Sequence, residues 1–259
     1  MRLLTSTNDA TENSHYVITT RPLEGDRSES YVTFTSLYAL ENCCKLLLQD
    51  GQSALESHYR LLRGGSSSAA AAGKLFETLV HHHLLKQKTI TLFPILGYTY
   101  KRGKNAGNGI IYGDYNATKN KADQKQINMP NLEEFLVIDE TDKGVKLNTY
   151  YRPRRANFPS IDSWVLIRPD TEKPHIFIMF QITVSTDVHD LKQEGLDLMD
   201  QLVIPGDALR WLVVVTPMEG SPRIGPVMAD YLKKKKPAGA PFDINADFPV
   251  FHYSAEDIL

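Results

Sequence analysis

Two apolar segments in the middle of the chain carry polar side chains that packing alone does not explain. Segment 158–167 contains Asp162 near its start, and segment 175–184 contains Gln181 and Thr183. Each is a short apolar run bounded by turn signals, so we expect two buried strands. Because side chains alternate along a strand, Gln181 and Thr183 should point to the same face. Burying such groups is unfavourable without partners, so the pattern predicts a hydrogen-bond network or a bound ligand.

A further carboxylate, Glu77, lies in a predicted helix over residues 66–85. Serine residues that can cap a helix precede an alanine run at the start of this segment, and alanine is the best helix former. Glu77 shares a stripe with Val80 and His81, at the margin of the apolar face. This spacing directs the carboxylate inward, and the alternative is a partly exposed glutamate.

Three consecutive histidines, His81 to His83, end the same segment. Consecutive helical residues point about 100° apart, so these three cannot converge on one metal ion. Only Glu77 and His81, which are four residues apart, are spaced so that both could contact one metal ion. We therefore favour packed or surface histidines over a zinc site.

Composition limits the class of protein. The chain has 259 residues, which is enough for one large domain or two small ones, and 42% of them are hydrophobic. Its formal net charge of −2 excludes a generic polyanion binder. Any surface for nucleic acid must therefore be a local basic patch.

The cysteines and the N-terminal sequence favour an intracellular protein. Cys43 and Cys44 are the only cysteines and are adjacent, so they should be reduced thiols. The N-terminal sequence has no apolar run long enough for a signal peptide, and no segment approaches membrane-spanning length. We expect a cytoplasmic or nuclear location and no membrane partner.

The remaining elements would have to position these side chains. Residues 1–65 are predicted to form a helical extension, and residues 88–152 a β-rich middle. Within that middle, segments 135–138 and 145–150 flank a turn and predict a β-hairpin. A helix over about 188–203 and a buried strand over 210–215 should follow the strand of Gln181.

This order of elements resembles the PD-(D/E)xK restriction-endonuclease-like superfamily. More closely, Phe158–Ser163 and Phe180–Ser185, followed by His189, are similar to the nuclease-like domain of Crinkler effectors and retrotransposon-hot-spot proteins. Gly73–Glu77, with a histidine at position 81, resembles the helix of that family. The resemblance covers roughly residues 65–217.

The resemblance implies an α/β fold. In it, a restriction-endonuclease-like mixed β-sheet is flanked by helices and preceded by a short helical N-terminal extension. It divides the chain into that extension, residues 1–65, and a PD-(D/E)xK nuclease-like domain, residues 66–259.

The resemblance also implies metal-dependent phosphodiester hydrolysis of nucleic acid, with DNA as the expected substrate. The metal ion would be Mg²⁺ or Mn²⁺, held by Glu77, Asp162 and Gln181. Where the superfamily motif has lysine, this chain has Thr183, and Lys192 in the following helix is the candidate replacement. The implied catalytic residues are Glu77, Asp162, Gln181, Thr183 and Lys192.

Two clusters of basic residues are candidate contacts to the phosphate backbone, although charge runs are as often only solvated. They are Lys101, Arg102, Lys104, Arg152, Arg154 and Arg155. The alternative function is a catalytically degraded nuclease fold, as in a Crinkler-like effector, that binds nucleic acid or a partner protein. Thr183 and Gln181 favour this alternative, whereas Glu77, Asp162 and Lys192 favour the enzyme.

Overall fold

A computed structural model of the chain shows two compact units, Met1–His82 together with Ile258–Leu259, and His83–Asp257. The boundary at residues 65 and 66 stays a prediction. The structure describes residues 18–23, 26–34, 39, 42–44, 46, 52–63, 69–94, 96–102, 109–114, 124–137, 143–153, 161–184, 192–217, 223–224 and 249–255.

The first unit combines helices with a pair of strands. Strands β1, Ile18–Leu23, and β2, Asp26–Phe34, are antiparallel. Helix α1 spans Gln52–Arg63, and helix α2 spans Ala69–Lys86, ending in the second unit. The predicted helical extension therefore also contains β-structure, because residues such as Tyr31 and Val32 favour strands.

Helix α2 confirms the helix predicted from the alanine run. Its alanines need no side-chain ordering, and its apolar residues Leu75, Phe76 and Leu79 are buried. The ring of Phe76 packs against Tyr59 of α1, with 5.7 Å between the ring centroids. This contact joins the two helices within the first unit.

The second unit is built on an eight-stranded sheet in the order β6-β3-β13-β11-β10-β9-β8-β7. Its strands are β3 Thr89–Pro94, β6 Lys125–Asn128, β7 Glu133–Val137, β8 Thr149–Pro153, β9 Ser163–Ile167, β10 Ile176–Ile182, β11 Leu209–Thr216 and β13 Val250–Ser254. A three-stranded sheet has the order β12-β5-β4. Its strands are β4 Leu96–Arg102, β5 Gly109–Asp114 and β12 Arg223–Ile224.

The large sheet is mixed. Strands β10, β11 and β13 run parallel to one another, as do β7 and β8, whereas β9 is antiparallel to β10 and to β8. This confirms an α/β protein with a mixed sheet.

The centre of this sheet is buried on both faces. Every residue of β9 and β10 is buried, which explains their nearly continuous apolar sequences. Helix α3, Gln193–Gln201, contributes Leu196 and Met199 to a hydrophobic cluster with Phe177 and Met179 of β10. We call the face of the sheet that carries this cluster the α3 face. The predicted helix over 188–203 is confirmed from Gln193 onward, and residues 185–191 lie outside the described part.

The predicted hairpin between segments 135–138 and 145–150 is wrong. Strands β7 and β8 are parallel, because the residues before β8 form hydrogen bonds with other segments and do not fold back on β7. The N–H of Val145 donates to the carbonyl of Val203, and that of Asn148 to the carbonyl of Leu166, at 3.3 and 2.8 Å. Asn148 has a φ of 58°, a left-handed conformation that asparagine tolerates, and it redirects the chain into β8.

None of the helices in the described ranges is both long and apolar enough to cross a membrane.

Candidate active site

Asp162 lies at a β-bulge immediately before β9. Ser163 pairs with Phe180 of β10, and the N–H of Asp162 donates to the carbonyl of the same Phe180 at 2.9 Å. Two residues on this strand therefore oppose one on its neighbour, the arrangement that defines a bulge. Asp162 thus lies just outside the regular pairing of β9 with β10.

The carboxylate of Asp162 lies against the peptide that joins Gln181 and Ile182. Its Oδ2 accepts a hydrogen bond from the N–H of Ile182 at 2.6 Å, a short charge-assisted bond. Burial raises the pKa of Tyr150 above its usual range, and the nearby charge of Asp162 adds to this effect. Asp162 is thus bonded to the end of β10 and lies within electrostatic reach of Tyr150.

Gln181 is a buried amide on the α3 face. On strand β10 it lies on the same face as Phe177 and Met179, and the residue is only 3% exposed. Among the described residues, no hydrogen-bond partner meets its buried Nε2. An unsatisfied buried donor is unfavourable by about 1–3 kcal/mol, so the fold retains this amide for a reason other than packing.

Thr183 follows two residues later on the same face, as strand alternation predicts. Its N–H donates to the carbonyl of Val215 at 2.9 Å, which continues the parallel pairing so that Thr183 adjoins Thr216 of β11. Thr216 in turn pairs with Ser254 of β13. Three hydroxyl residues therefore lie side by side at the carboxyl ends of three parallel strands.

His252 completes this arrangement from β13. It pairs with Val214, so its imidazole shares the α3 face, and its Nε2 lies 2.8 Å from Oγ1 of Thr216. Burial lowers the pKa of His252 to about 4, so the ring is neutral at physiological pH. We name this set the polar cluster; it consists of Gln181, Thr183, Thr216, His252 and Ser254.

The polar cluster occupies a position that suits ligand binding. In open α/β sheets, ligands are bound outside the carboxyl ends of the strands. The Oγ of Ser254, like Nε2 of Gln181, is buried and has no hydrogen-bond partner among the described residues. Within the described part of the chain, two groups of the cluster therefore have unused hydrogen-bonding capacity.

Sequence reasoning identified Gln181 and Thr183 but missed Thr216, His252 and Ser254. The signal was present, because His252 and Ser254 are polar residues within the apolar run that begins at Val250, as Gln181 is within that of β10. Which strand would adjoin β11 could not be read from that alternation.

Glu77 lies in the first unit, within a charged network on α2. Its Oε2 is 2.7 Å from Nζ of Lys74, and its Oε1 is 3.7 Å from Nε2 of His81, an ion-pair distance rather than a hydrogen bond. Burial of Glu77 opposes ionisation, but its interactions with His81 and Lys74 outweigh burial and lower the pKa to about 2. Glu77 is thus ionised, and its convergence with Asp162 and Gln181 stays a prediction.

Lys192 is the residue that caps the N-terminus of α3. It is exposed, its backbone is extended, and its side chain makes no capping hydrogen bond. Its assignment to the catalytic site stays a prediction, and His189 lies outside the described part of the chain.

Only one of the candidate phosphate contacts has a described side chain. Arg152 of β8 forms an ion pair with Glu134 of β7, with 3.5 Å between Nη1 and Oε1. The backbones of Lys101 and Arg102 belong to β4. Outside the described residues lie Lys104, Arg154 and Arg155.

The oxygen donors of Asp162 and Gln181 are of the kind that Mg²⁺ prefers. Within the described ranges, no group of three or more His, Cys, Asp or Glu side chains is arranged to hold a metal ion. No family model matches the chain, and comparisons with curated proteins and with solved structures also found no match. The superfamily resemblance therefore stays a prediction.

Proposed function

We propose that this protein hydrolyses phosphodiester bonds of nucleic acid in a metal-dependent reaction, with Asp162 and Gln181 as the centre of its site. One observation carries the proposal. The Asp162 carboxylate accepts a hydrogen bond from the peptide N–H that follows Gln181, at the carboxyl end of β10, where Thr183 adjoins Thr216 of β11. The restriction-endonuclease-like topology of the mixed sheet belongs to this proposal.

A hard divalent cation is proposed to bind at the carboxyl end of β10. Asp162 would supply a carboxylate oxygen, and Gln181 would supply its amide oxygen, since no hydrogen bond to a described residue ties down its Nε2. When bound, Mg²⁺ or Mn²⁺ lowers the pKa of water and neutralises charge that builds up on the scissile phosphate. The N–H of Ile182 keeps the Asp162 carboxylate in one orientation, and a catalytic group needs such a supporting hydrogen bond.

DNA is the proposed substrate, and the basic residues of segments 101–104 and 152–155 are the proposed contacts to its backbone. With a net charge of −2, binding has to rely on such local clusters. The ion pair between Arg152 and Glu134 neutralises part of the charge in one cluster. A cytoplasmic or nuclear location agrees with this function and stays a prediction.

The alternative is a nuclease-fold module that binds nucleic acid or a partner protein without cleaving it. The observation in its favour is that Asp162 already has a structural partner in Ile182, so its carboxylate contributes to the fold without a metal ion. Thr183, which carries no charge, favours the same alternative.

The test is incubation of the purified protein with plasmid DNA and with RNA, each in the presence of Mg²⁺, Mn²⁺ or EDTA. Asp162→Asn removes the charge but keeps an oxygen that can accept from Ile182, so it should abolish cleavage and leave the fold intact. Asp197→Asn changes an exposed aspartate of α3 and is the matched control. Cleavage that persists in EDTA or in Asp162→Asn would refute the proposal, and binding without cleavage would support the alternative.

A further inference from the structure

We propose that Thr216 and His252 are positioning residues of this site, which orient the water that attacks the phosphorus atom. The inference rests on the proposed function and assigns a role to two residues outside the superfamily resemblance. Neither residue would bond to the substrate. They would act through the hydroxyl group of Thr216 and its neighbour Thr183.

The pairing of the strands places these groups together. Thr183 adjoins Thr216 at the carboxyl ends of β10 and β11, and His252 lies on the same face of the next strand, β13. The 2.8 Å contact between Oγ1 of Thr216 and Nε2 of His252 restricts the orientation of that hydroxyl. His252 is fully buried and Thr216 is 8% exposed, so solvent does not compete strongly for this hydrogen bond.

The contact gives the Thr216 hydroxyl a defined direction when Nε2 of His252 is the acceptor. If Nε2 accepts, the Thr216 proton points to the ring and the oxygen lone pairs stay available to a further donor. If Nε2 donates, the ring occupies one lone pair and the Thr216 proton keeps more than one orientation. We assign the tautomer in which Nε2 accepts, so that a fixed dipole, rather than a freely rotating hydroxyl, is available to the attacking water. Fixed dipoles assist a reaction because they need no reorganisation when charge develops.

The reaction itself leaves both residues unchanged. The oxygen of the attacking water forms the new bond to phosphorus, the ester P–O bond breaks, and the leaving oxygen takes a proton from solvent. The proton of the attacking water is released to solvent. Thr216 and His252 keep their own protons throughout, and orientation is their only contribution.

The experiment compares Thr216→Val with Thr216→Ser. Valine keeps the branched shape and removes the hydroxyl, whereas serine restores the hydroxyl. The matched control is Thr149→Val in β8. Thr149 is as buried as Thr216, at 8% exposure, and its hydroxyl donates only a long hydrogen bond of 3.5 Å to the carbonyl of Leu147. All variants are checked by thermal unfolding before kinetics are measured.

Thr216→Val should lower kcat about tenfold or more, the effect of losing one orienting hydrogen bond, with KM and DNA affinity unchanged. Thr216→Ser should recover most of the rate, and Thr149→Val should match the wild type. A wild-type rate in Thr216→Val would overturn the inference while the proposed function stands. A wild-type protein that does not cleave would overturn both.

A second readout does not depend on cleavage. In ¹⁵N NMR of histidine-labelled protein without metal, Thr216→Val should shift the Nε2 signal of His252, and Thr216→Ser should largely restore it. An unchanged signal in Thr216→Val would show that the hydrogen bond is absent, which would overturn the inference. Loss of the fold in Thr216→Val, with Thr149→Val folded, would identify Thr216 as structural and would also overturn it.

Discussion

The carboxylate of Asp162 accepts a hydrogen bond from the backbone N–H of Ile182, with 2.6 Å between Oδ2 and N. This contact makes the candidate metal ligand a structural residue as well. It closes the end of the ladder between β9 and β10, where the bulge interrupts the regular pairing. One substitution that removes the charge but keeps the hydrogen bond, and another that removes both, separate the two roles.

Asp162→Ala should reduce the free energy of unfolding by about 1–3 kcal/mol, because the buried N–H of Ile182 loses its acceptor. Asp162→Asn should reduce it by less than half of that amount, since the amide oxygen can still accept. Urea denaturation of both variants measures the difference. Equal stability of the two variants would show that the hydrogen bond contributes nothing.

Gln181→Met should increase the free energy of unfolding by about 1 kcal/mol in the absence of metal, because it removes, at similar volume, a buried donor that no described residue satisfies. The same change should abolish cleavage, because residues that are needed for function often reduce the stability of the fold. Gln126→Met, in the exposed part of β6, is the control and should change stability little. Destabilisation by Gln181→Met would indicate that the amide is satisfied in solution.

The buried imidazole of His252 should make the fold sensitive to acid. Burial lowers its pKa from 6.5 to about 4, so the folded state resists protonation more than the unfolded state does. The contribution of the neutral ring to the free energy of unfolding is complete above pH 6.5. It declines as the pH falls toward about 4, by up to about 3 kcal/mol in total.

The measurement is the free energy of unfolding of the wild type and of His252→Gln between pH 7 and pH 4. The slope in this range should be shallower in the variant, because glutamine does not titrate. His58→Gln, a half-buried position of α1, is the control. Parallel slopes for the wild type and His252→Gln would contradict the prediction.

Lys74→Met should raise the pKa of Glu77 from about 2 toward its ordinary value of 4.5, because the ammonium contact is lost while burial still opposes ionisation. In the wild type, the stabilisation from Glu77 is complete above pH 4.5 and is lost as the pH falls through about 2. NMR titration of the glutamate carboxyl carbon measures the shift. Lys86→Met, at the exposed end of α2, should leave the Glu77 titration unchanged.

Lys192→Met should lower the cleavage rate about a hundredfold if this lysine supplies the positive charge that Thr183 lacks, since that is the usual effect of removing one donor to the transition state. DNA binding should change little, because a single exposed lysine is replaced. Lys173→Met, in an exposed turn, is the matched control. Unchanged cleavage in Lys192→Met would remove Lys192 from the site.

The local chemistry of the chain was sufficient to predict several elements. The alanine run predicted α2, and the apolar runs predicted β9, β10 and β11, because each depends on side chains close in sequence. The same local pattern singled out Gln181, since a polar group inside an apolar run is visible without any knowledge of its neighbours.

Partner choice between strands was decided only by the tertiary structure. Segments that suggested a hairpin became the parallel pair β7 and β8, and β13, from the end of the chain, was placed beside β11, where His252 reaches Thr216. The hydrogen bond from Ile182 to Asp162 likewise requires a neighbouring strand. Such pairings depend on contacts between residues far apart in sequence, and hydrophobic alternation specifies the buried face of a strand but not the strand beside it.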